Sequence, residues 1–369
     1  MPMSDIQANK HLAHLPGYYA GTSVEALKQS PMNPFLKVAS NENMMGPAAK
    51  PEQLLESLET LAVYPDSSRH PLLQALAKTH QVTKPSLLLG NGSDECFDLI
   101  CKAYLSEGDI VLSSEHTFSM YKLYSLAVGA SYKELPMAQW GYDLNAIADS
   151  ICDKTKLIFI ANPNNPTGSF IKQADIQAFL QKVPSSVLVV LDEAYKDFVP
   201  DEATDSNVPL IQQFSNLVIT RTFSKLYGLA GLRIGYAISN EAIIATLKKV
   251  KSPFNVNKLA LDAAAIALKN AAFIKASLSM NSAGLAQYKQ AASNWPVTLL
   301  PSFANFICLI LTHHSGAAVY DALLEQGIIS RNLASFGIKN GCRISIGTTE
   351  QNDRVIQALN HIFSKGDKA

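Results

Sequence analysis

The feature that most constrains the fold is a regular alternation of short apolar runs with helical patterns. The strand-like runs are residues 86–90, 109–113, 157–161, 187–191, 217–221 and 232–238, and helical patterns at 96–105, 122–128 and 172–182 lie between them. Several runs are apolar on both faces, as expected for strands covered by helices on each side. The alternation predicts an α/β fold with a mainly parallel central sheet.

The pattern changes after about residue 250. Helical stretches at 258–269 and 273–292 are followed by a mixed portion with elements at 305–311, 316–326, 342–346 and 350–363. We therefore predict a large domain from residue 41 to 255. A smaller α+β domain would combine residues 1–40 with residues 256–369.

Composition excludes several classes of protein. Hydrophobic residues make up 47% and charged residues 17% of the 369 residues, which is typical of a soluble enzyme. The formal charge is zero and the pI is about 7.1, so the chain has no excess of positive charge. We therefore expect it to bind neither nucleic acid nor a membrane surface. The five scattered cysteines and the start of the chain, which does not resemble a secretion signal, predict a cytoplasmic protein. No histidine or cysteine spacing indicates a metal site.

Lys225 follows the run 217–221 in a segment rich in glycine. A lysine at the end of a buried strand is costly unless it is paired, solvated or covalently engaged. Ser224 precedes it and Arg233 follows. These groups suit a phosphorylated carbonyl compound, because the amine can form an imine while the hydroxyl and guanidinium bind the phosphate. They predict pyridoxal phosphate as the cofactor, with Lys225 also positioned to transfer a proton as base and acid.

Polar residues also follow the other predicted strands, at the sheet edge where open α/β folds bind ligands. Asp192 would lie beside the pyridine nitrogen and keep it protonated. Tyr195 and Asn165 would hydrogen-bond the phenolic oxygen, and Phe118 would stack on the ring. Backbone amides around Ser93 and Asp94, at a predicted helix start, would help to bind the phosphate.

Each motif has an ordinary structural explanation when it is taken alone. The residues 192–195 could form a helix cap, residues 162–168 a tight turn, and residues 91–95 a turn followed by a cap. Their joint occurrence, in this order, favours a single site.

Three segments, residues 162–168, 192–195 and 222–235, resemble the cofactor motifs of the fold-type-I, class I/II pyridoxal-phosphate aminotransferases. Within that superfamily the chain is most similar to the histidinol-phosphate aminotransferase family. The more specific similarities are Ala-Ser-Asn-Glu-Asn at 39–43, Tyr-Pro-Asp at 64–66, Gly-Asn-Gly-Ser-Asp-Glu at 90–95, and the segments 227–233 and 342–347.

The resemblance implies roles for residues outside the cofactor motifs. Tyr64 would reach across a homodimer interface to the cofactor phosphate of the neighbouring subunit. Arg343 would bind the substrate anion, Arg331 would add a second positive charge, Tyr18 would close over the substrate, and Asn41 would contact it. The implied reaction transfers an amino group from glutamate to imidazole-acetol phosphate, giving 2-oxoglutarate and L-histidinol phosphate in histidine biosynthesis.

The chain also departs from the family pattern. Met44-Met45 replace the usual Pro-Tyr, and the segment 114–117, which contains His116, lacks the proline that many members carry there. An aromatic amino acid aminotransferase therefore remains an alternative. A decarboxylase of phosphorylated substrates is another, because the cofactor-binding residues do not determine which bond breaks. A nicotinamide dehydrogenase is a weaker alternative, because Glu95 replaces the third glycine of the expected fingerprint. Lys225 and Asp192 argue against a non-catalytic binding protein.

Overall fold

The computed structural model describes residues 8–12, 15, 17, 34–203 and 205–366. Its strands are β1 Leu36–Lys37, β2 Leu87–Gly90, β3 Ile110–Ser114, β4 Ser131–Leu135, β5 Thr155–Ala161, β6 Leu188–Asp192, β7 Leu217–Thr222, β8 Gly235–Ser239, β9 Val297–Leu299, β10 Phe306–Leu311, β11 Ile328–Ile329, β12 Arg331–Asn332 and β13 Gly341–Ser345. Its α-helices are α1 Leu55–Glu59, α2 Pro71–His80, α3 Ser93–Tyr104, α4 Met120–Ala127, α5 Leu144–Asp149, α6 Gln173–Leu180, α7 Glu241–Val250, α8 Lys258–Ala267, α9 Ala271–Ala292, α10 Gly316–Leu324 and α11 Thr349–Gly366.

The central sheet has seven strands in the order β2-β8-β7-β6-β5-β3-β4. The five strands β7, β6, β5, β3 and β4 run parallel to one another, and β8 is antiparallel to both of its neighbours, β7 and β2. This arrangement confirms the predicted α/β fold with a mainly parallel sheet. The carboxyl ends of β3, β5, β6 and β7 consequently lie at one edge of the sheet.

Helices cover both faces of this sheet, which explains why its inner strands are largely apolar. In β5, Ile158 and Ile160 join a core that contains side chains of α2, α6 and α8. The alternate residues Leu157 and Phe159 join a core that contains side chains of α3, α4 and α7. Successive strand residues point to opposite faces, so each face needs apolar side chains.

A second sheet, in the order β12-β13-β10-β9, is antiparallel throughout and forms the centre of the smaller part of the molecule. Its core includes side chains of α9, α10 and α11, together with Leu36 and Val38 near the start of the described chain. Helix α8 instead packs in the core of the large sheet. The predicted domain division at residue 255 stays a prediction, and this packing favours a boundary beyond Ala267.

Two parts of the large domain differ from the sequence expectation. The edge strand β4 was not predicted, because most of its side chains are polar and exposed, with Ser131, Lys133 and Glu134 facing solvent. The run predicted at 232–238 begins as a strand only at Gly235, because Ala230–Leu232 form a 3₁₀ turn and Arg233 has φ 56°. In the described part of the chain, no helix combines the length and the apolar character that crossing a membrane requires.

Candidate active site

A cleft lies between the carboxyl edge of the large sheet and the small antiparallel sheet. Most of the predicted site residues line it: Asn41, Ser93, Asp94, Phe118, Asn165, Asp192, Tyr195, Ser224, Lys225, Arg233, Arg331 and Arg343. Tyr64 lies elsewhere on the surface, and Tyr18 lies outside the described residues.

Lys225 lies just beyond β7 and projects its amine into the cleft. Its Nζ donates a hydrogen bond to the Ser40 carbonyl oxygen at 3.0 Å and lies 5.6 Å from the centre of the Tyr195 ring. The chain turns sharply after the lysine at Gly228, where φ is +65° and an added Cβ would lie 2.1 Å from the Gly46 carbonyl oxygen. The turn therefore requires glycine, and it holds the lysine against the segment that contains Ser40.

Asp192 is the last residue of β6, and its carboxylate is buried with three hydrogen-bond donors around it. Tyr121 Oη donates to Oδ2 at 2.5 Å, while Thr220 Oγ1 and the Ala194 amide donate to Oδ1 at 3.1 and 3.2 Å. Burial raises the pKa of Asp192 to about 6, and the bonds from Tyr121 and Thr220 oppose that rise. A cationic group placed beside this carboxylate would favour its ionised form.

Tyr121 is a site residue that the sequence reasoning missed. Its side chain is fully buried, and its ring stacks on Phe159 with centroids 4.6 Å apart and an interplanar angle of 3°. It also meets Phe118 edge to face. It was missed because it lies one residue before the predicted helix 122–128, whereas α4 begins at Met120.

The start of α3 and the loop before β8 form one end of the cleft. Arg233 Nη2 donates to Asp94 Oδ2 at 3.0 Å, and Nη1 lies 3.5 Å from Ser224 Oγ. Burial raises the pKa of Asp94, and the charges of Arg233 and Lys225 oppose that shift. A Cβ on Gly235 would lie 2.5 Å from the Ser93 amide nitrogen, so glycine is needed where β8 approaches the helix. The helix N-terminus and the guanidinium together suit a phosphate group.

The opposite side of the cleft joins the large and small sheets through polar contacts. Asn41 Nδ2 donates to Tyr195 Oη at 2.9 Å, and the Asn41 backbone amide donates to Ser345 Oγ at 2.8 Å. Arg343 is buried, and its guanidinium donates to Asn165 Oδ1 and, at 2.6 Å, to the Ala39 carbonyl oxygen. Because the Asn165 amide oxygen is engaged by Arg343, its NH₂ group is the donor that can turn toward a ligand oxygen.

Arg331 and Arg343 belong to neighbouring strands and are paired directly in the register of β12 and β13. Opposed residues of an antiparallel pair project from the same face of a sheet. Arg331 also lies 5.7 Å from the centre of the Phe336 ring and donates to Ser335 Oγ at 3.3 Å. The small sheet thus presents two cations to one cleft.

Tyr64 lies on an exposed apolar surface outside the cleft. It is 78% exposed, and its ring stacks on Phe254 at 4.6 Å. Its exposed apolar neighbours in the chain are Leu55, Leu58, Leu61 and Val63. An exposed apolar surface of this kind is typical of a protein interface.

Comparison with known proteins agrees with this geometry. The family model for aminotransferase class I and II matches residues 25–359. The chain is 41% identical over 358 residues to histidinol-phosphate aminotransferase 2 of Haemophilus influenzae, with 96% of this chain and 98% of that protein covered. It is 39% identical over 361 residues to the histidinol-phosphate aminotransferase of Geobacillus thermodenitrificans, with 97% and 98% covered.

A solved structure with the same fold is that of histidinol-phosphate aminotransferase from Sinorhizobium meliloti in complex with pyridoxal-5'-phosphate. It matches with a TM-score of 0.87 and 25% sequence identity, covering 98% of this chain and 99% of that one. The family match, the two relatives and the shared fold lead to one conclusion: the chain belongs to the class I and II aminotransferases.

Proposed function

We propose that the protein uses pyridoxal 5'-phosphate to transfer an amino group from glutamate to imidazole-acetol phosphate. The products would be 2-oxoglutarate and L-histidinol phosphate, and the pathway would be histidine biosynthesis. The names of the relatives at 41% and 39% identity support this substrate pair. The observation that carries the proposal is one cleft that contains the Lys225 amine, the buried Asp192 carboxylate and two arginines.

The residues of the cleft fit this cofactor. Burial raises the pKa of Asp192, and no cationic side chain among the described residues pairs with it, so this carboxylate suits a pyridinium nitrogen. Arg233, Ser224 and the amides at the start of α3 suit the phosphate, and Gly235 leaves that helix start uncrowded by a side chain. Lys225 would hold the aldehyde carbon. When bound, the cofactor supplies an electron sink that allows the substrate amino group to be exchanged.

The protein's own groups account for binding and proton transfer. Lys225 Nζ would first act as a base and take the proton from the substrate α-carbon. It would then act as an acid and give the proton back as the amino group is transferred. Arg343 would bind the α-carboxylate of glutamate through its planar guanidinium, with Asn165 and Ala39 holding it in place. Asp192 would stay ionised, supported by the hydrogen bonds that Tyr121 and Thr220 donate.

The paired arginines support the choice of a phosphorylated acceptor. Glutamate carries a second carboxylate and imidazole-acetol phosphate carries a phosphate, so each substrate brings an anionic end away from the reacting carbon. Arg331 is the candidate partner for that end, because it projects from the same face of the small sheet as Arg343. Arginine can form paired hydrogen bonds with either anion.

We propose further that two copies form a homodimer in which Tyr64 reaches the cofactor phosphate of the partner subunit. Its exposed ring, and the apolar side chains around it, support an interface at this surface. We also propose a cytoplasmic location, supported by the five cysteines, which are all unpaired.

The substrate assignment is tested with purified, cofactor-loaded protein and glutamate as the amino donor. Imidazole-acetol phosphate and a panel of aromatic and aliphatic keto acids would be compared by their kcat/KM. We expect imidazole-acetol phosphate to be preferred, and Arg331→Gln to reduce that preference while retaining activity toward keto acids whose side chains are uncharged. A higher kcat/KM for an aromatic keto acid would contradict the assignment.

A further inference from the structure

We propose that His116 is a positioning residue that fastens the small-domain turn 334–337 over the cleft and thereby sets the affinity for the phosphorylated acceptor. The effect on acceptor affinity rests on the proposed function, whereas the contact between His116 and the turn is observed directly. His116 lies between β3 and α4 and belongs to the large domain, whereas the turn lies between β12 and β13 of the small sheet.

The contact between the two domains is a hydrogen bond. His116 Nδ1 lies 2.6 Å from the Phe336 carbonyl oxygen. A carbonyl oxygen only accepts, so Nδ1 carries the proton and donates it. The next residue, Gly337, has φ +80°, and an added Cβ there would lie 3.1 Å from the imidazole ring. The ring therefore packs directly on the backbone of the turn.

Hydrogen bonds of the His116 backbone and of the next residue, Thr117, connect this segment to the loop after β5. The His116 carbonyl oxygen accepts a hydrogen bond from Asn164 Nδ2 at 3.0 Å, and Asn164 Oδ1 accepts one from Thr117 Oγ1 at 2.8 Å. The imidazole also lies 6.0 Å from the Trp140 ring. Asn164 precedes Asn165, a residue of the cleft. His116 thus links the loop that forms one wall of the cleft to the turn that forms another.

The turn matters for substrate binding because of Phe336. Its ring lines the cleft and lies 5.7 Å from the guanidinium of Arg331, and Ser335 of the same turn accepts a hydrogen bond from Arg331. The guanidinium of Arg343 also lies 6.0 Å from the centre of the Phe336 ring. Arg343 nevertheless depends less on the turn, because it donates hydrogen bonds to Asn165 and Ala39, which lie outside the turn. Loosening the turn should therefore disturb the site of the phosphate end more than the site of the α-carboxylate.

The backbone of His116 has a φ of +50°, which lies in the left-handed region. Only a residue that tolerates this conformation could replace His116 without strain. Proline is held near φ −65° and has no side-chain donor, so it could not reproduce the contact. Glycine adopts positive φ without strain, and asparagine does so more easily than most residues.

Three variants of the cofactor-loaded enzyme separate the hydrogen bond from backbone effects. His116→Gly removes the ring without straining the backbone. We expect it to raise the KM for imidazole-acetol phosphate about 3- to 10-fold, the usual worth of one hydrogen bond. The KM for glutamate should rise by less, because its distal carboxylate carries less charge than a phosphate and so interacts more weakly with Arg331. His116→Asn should restore most of the affinity, because its amide nitrogen corresponds to Nδ1. His116→Gln, whose amide nitrogen corresponds to Nε2, should not.

Hydrogen exchange provides a readout that does not depend on the substrate. In holoenzyme carrying His116→Gly, the amides of residues 331–340 should exchange faster than in the wild type, while those of β10 should be unchanged. Equal exchange at 331–340 would overturn the fastening role, whichever substrate the enzyme uses. Equal changes in both KM values would overturn the link to the phosphorylated acceptor. Wild-type enzyme that fails to use imidazole-acetol phosphate would instead refute the proposed function.

Discussion

Replacing Tyr121 by phenylalanine should destabilise the cofactor-free protein in a way that depends on pH. The substitution removes the hydroxyl that donates to Asp192 at 2.5 Å and keeps the ring that stacks on Phe159. A hydrogen bond to a charged group contributes about 1.5–3 kcal/mol. At 1.36 kcal/mol per pKa unit, its loss should raise the pKa of Asp192 by roughly 1–2 units above its present value.

The direction of the pH effect follows from the raised pKa. Asp192 has a pKa of about 6 in the folded protein against an ordinary value of 3.8, so the folded state retains a proton that the unfolded state releases. Its contribution to stability therefore falls as the pH rises from about 4 to 6. In the variant this fall continues to about pH 7 or 8, so the difference between the two proteins grows above pH 6.

Urea denaturation at pH 5 and pH 8 would measure this difference. We expect a loss of about 0.5–1 kcal/mol at pH 5, where Asp192 is mostly neutral in both proteins, and about 1.5–3 kcal/mol at pH 8. Tyr288→Phe is a matched control, since Tyr288 is also fully buried and its hydroxyl has no hydrogen-bond partner among the described residues. A loss at pH 5 as large as that at pH 8 would refute the reasoning.

Three further predictions concern the reaction. Lys225→Ala should slow the glutamate half-reaction by at least about 100-fold, because the general base is lost; near-normal turnover would remove this residue from its role. Arg343→Ala should raise the KM for glutamate by about 10-fold or more, since the α-carboxylate loses a charge-assisted contact, and an unchanged KM in steady-state kinetics would place the arginine outside the substrate site. Tyr64→Phe should weaken cofactor binding about 3- to 10-fold in equilibrium dialysis while the dimer persists, and unchanged binding would argue against contact with the partner's phosphate.

The sequence predicted the large sheet and most of the cleft for a physical reason. Strands β5, β6 and β7 are buried, consecutive and parallel, so the residues that follow them lie at one sheet edge. Asp192 is the last residue of β6, Asn165 and Lys225 follow shortly after β5 and β7, and all three line the same cleft. The hydrophobic pattern of the strands and their parallel order were therefore sufficient to predict that these three residues share one site.

Contacts between distant segments could not be predicted in the same way. Arg343 donates to Asn165, which is 178 positions away, and His116 donates to the Phe336 carbonyl oxygen across 220 positions. Such pairs depend on how the two sheets are oriented, which hydrophobic periodicity does not encode. The surroundings of Tyr64 in an assembly depend on a second chain. The polar edge strand β4 lacks the apolar alternation by which strands are recognised.

The pairing of Arg331 with Arg343 in the strand register limits how the cleft can change during evolution. Side chains alternate between sheet faces, so inserting or deleting a single residue in β12 would turn one guanidinium away from its neighbour. The spacing between the two positive charges is thus a property of the backbone. New specificities would arise more readily by exchanging side chains around this pair than by altering the length of either strand.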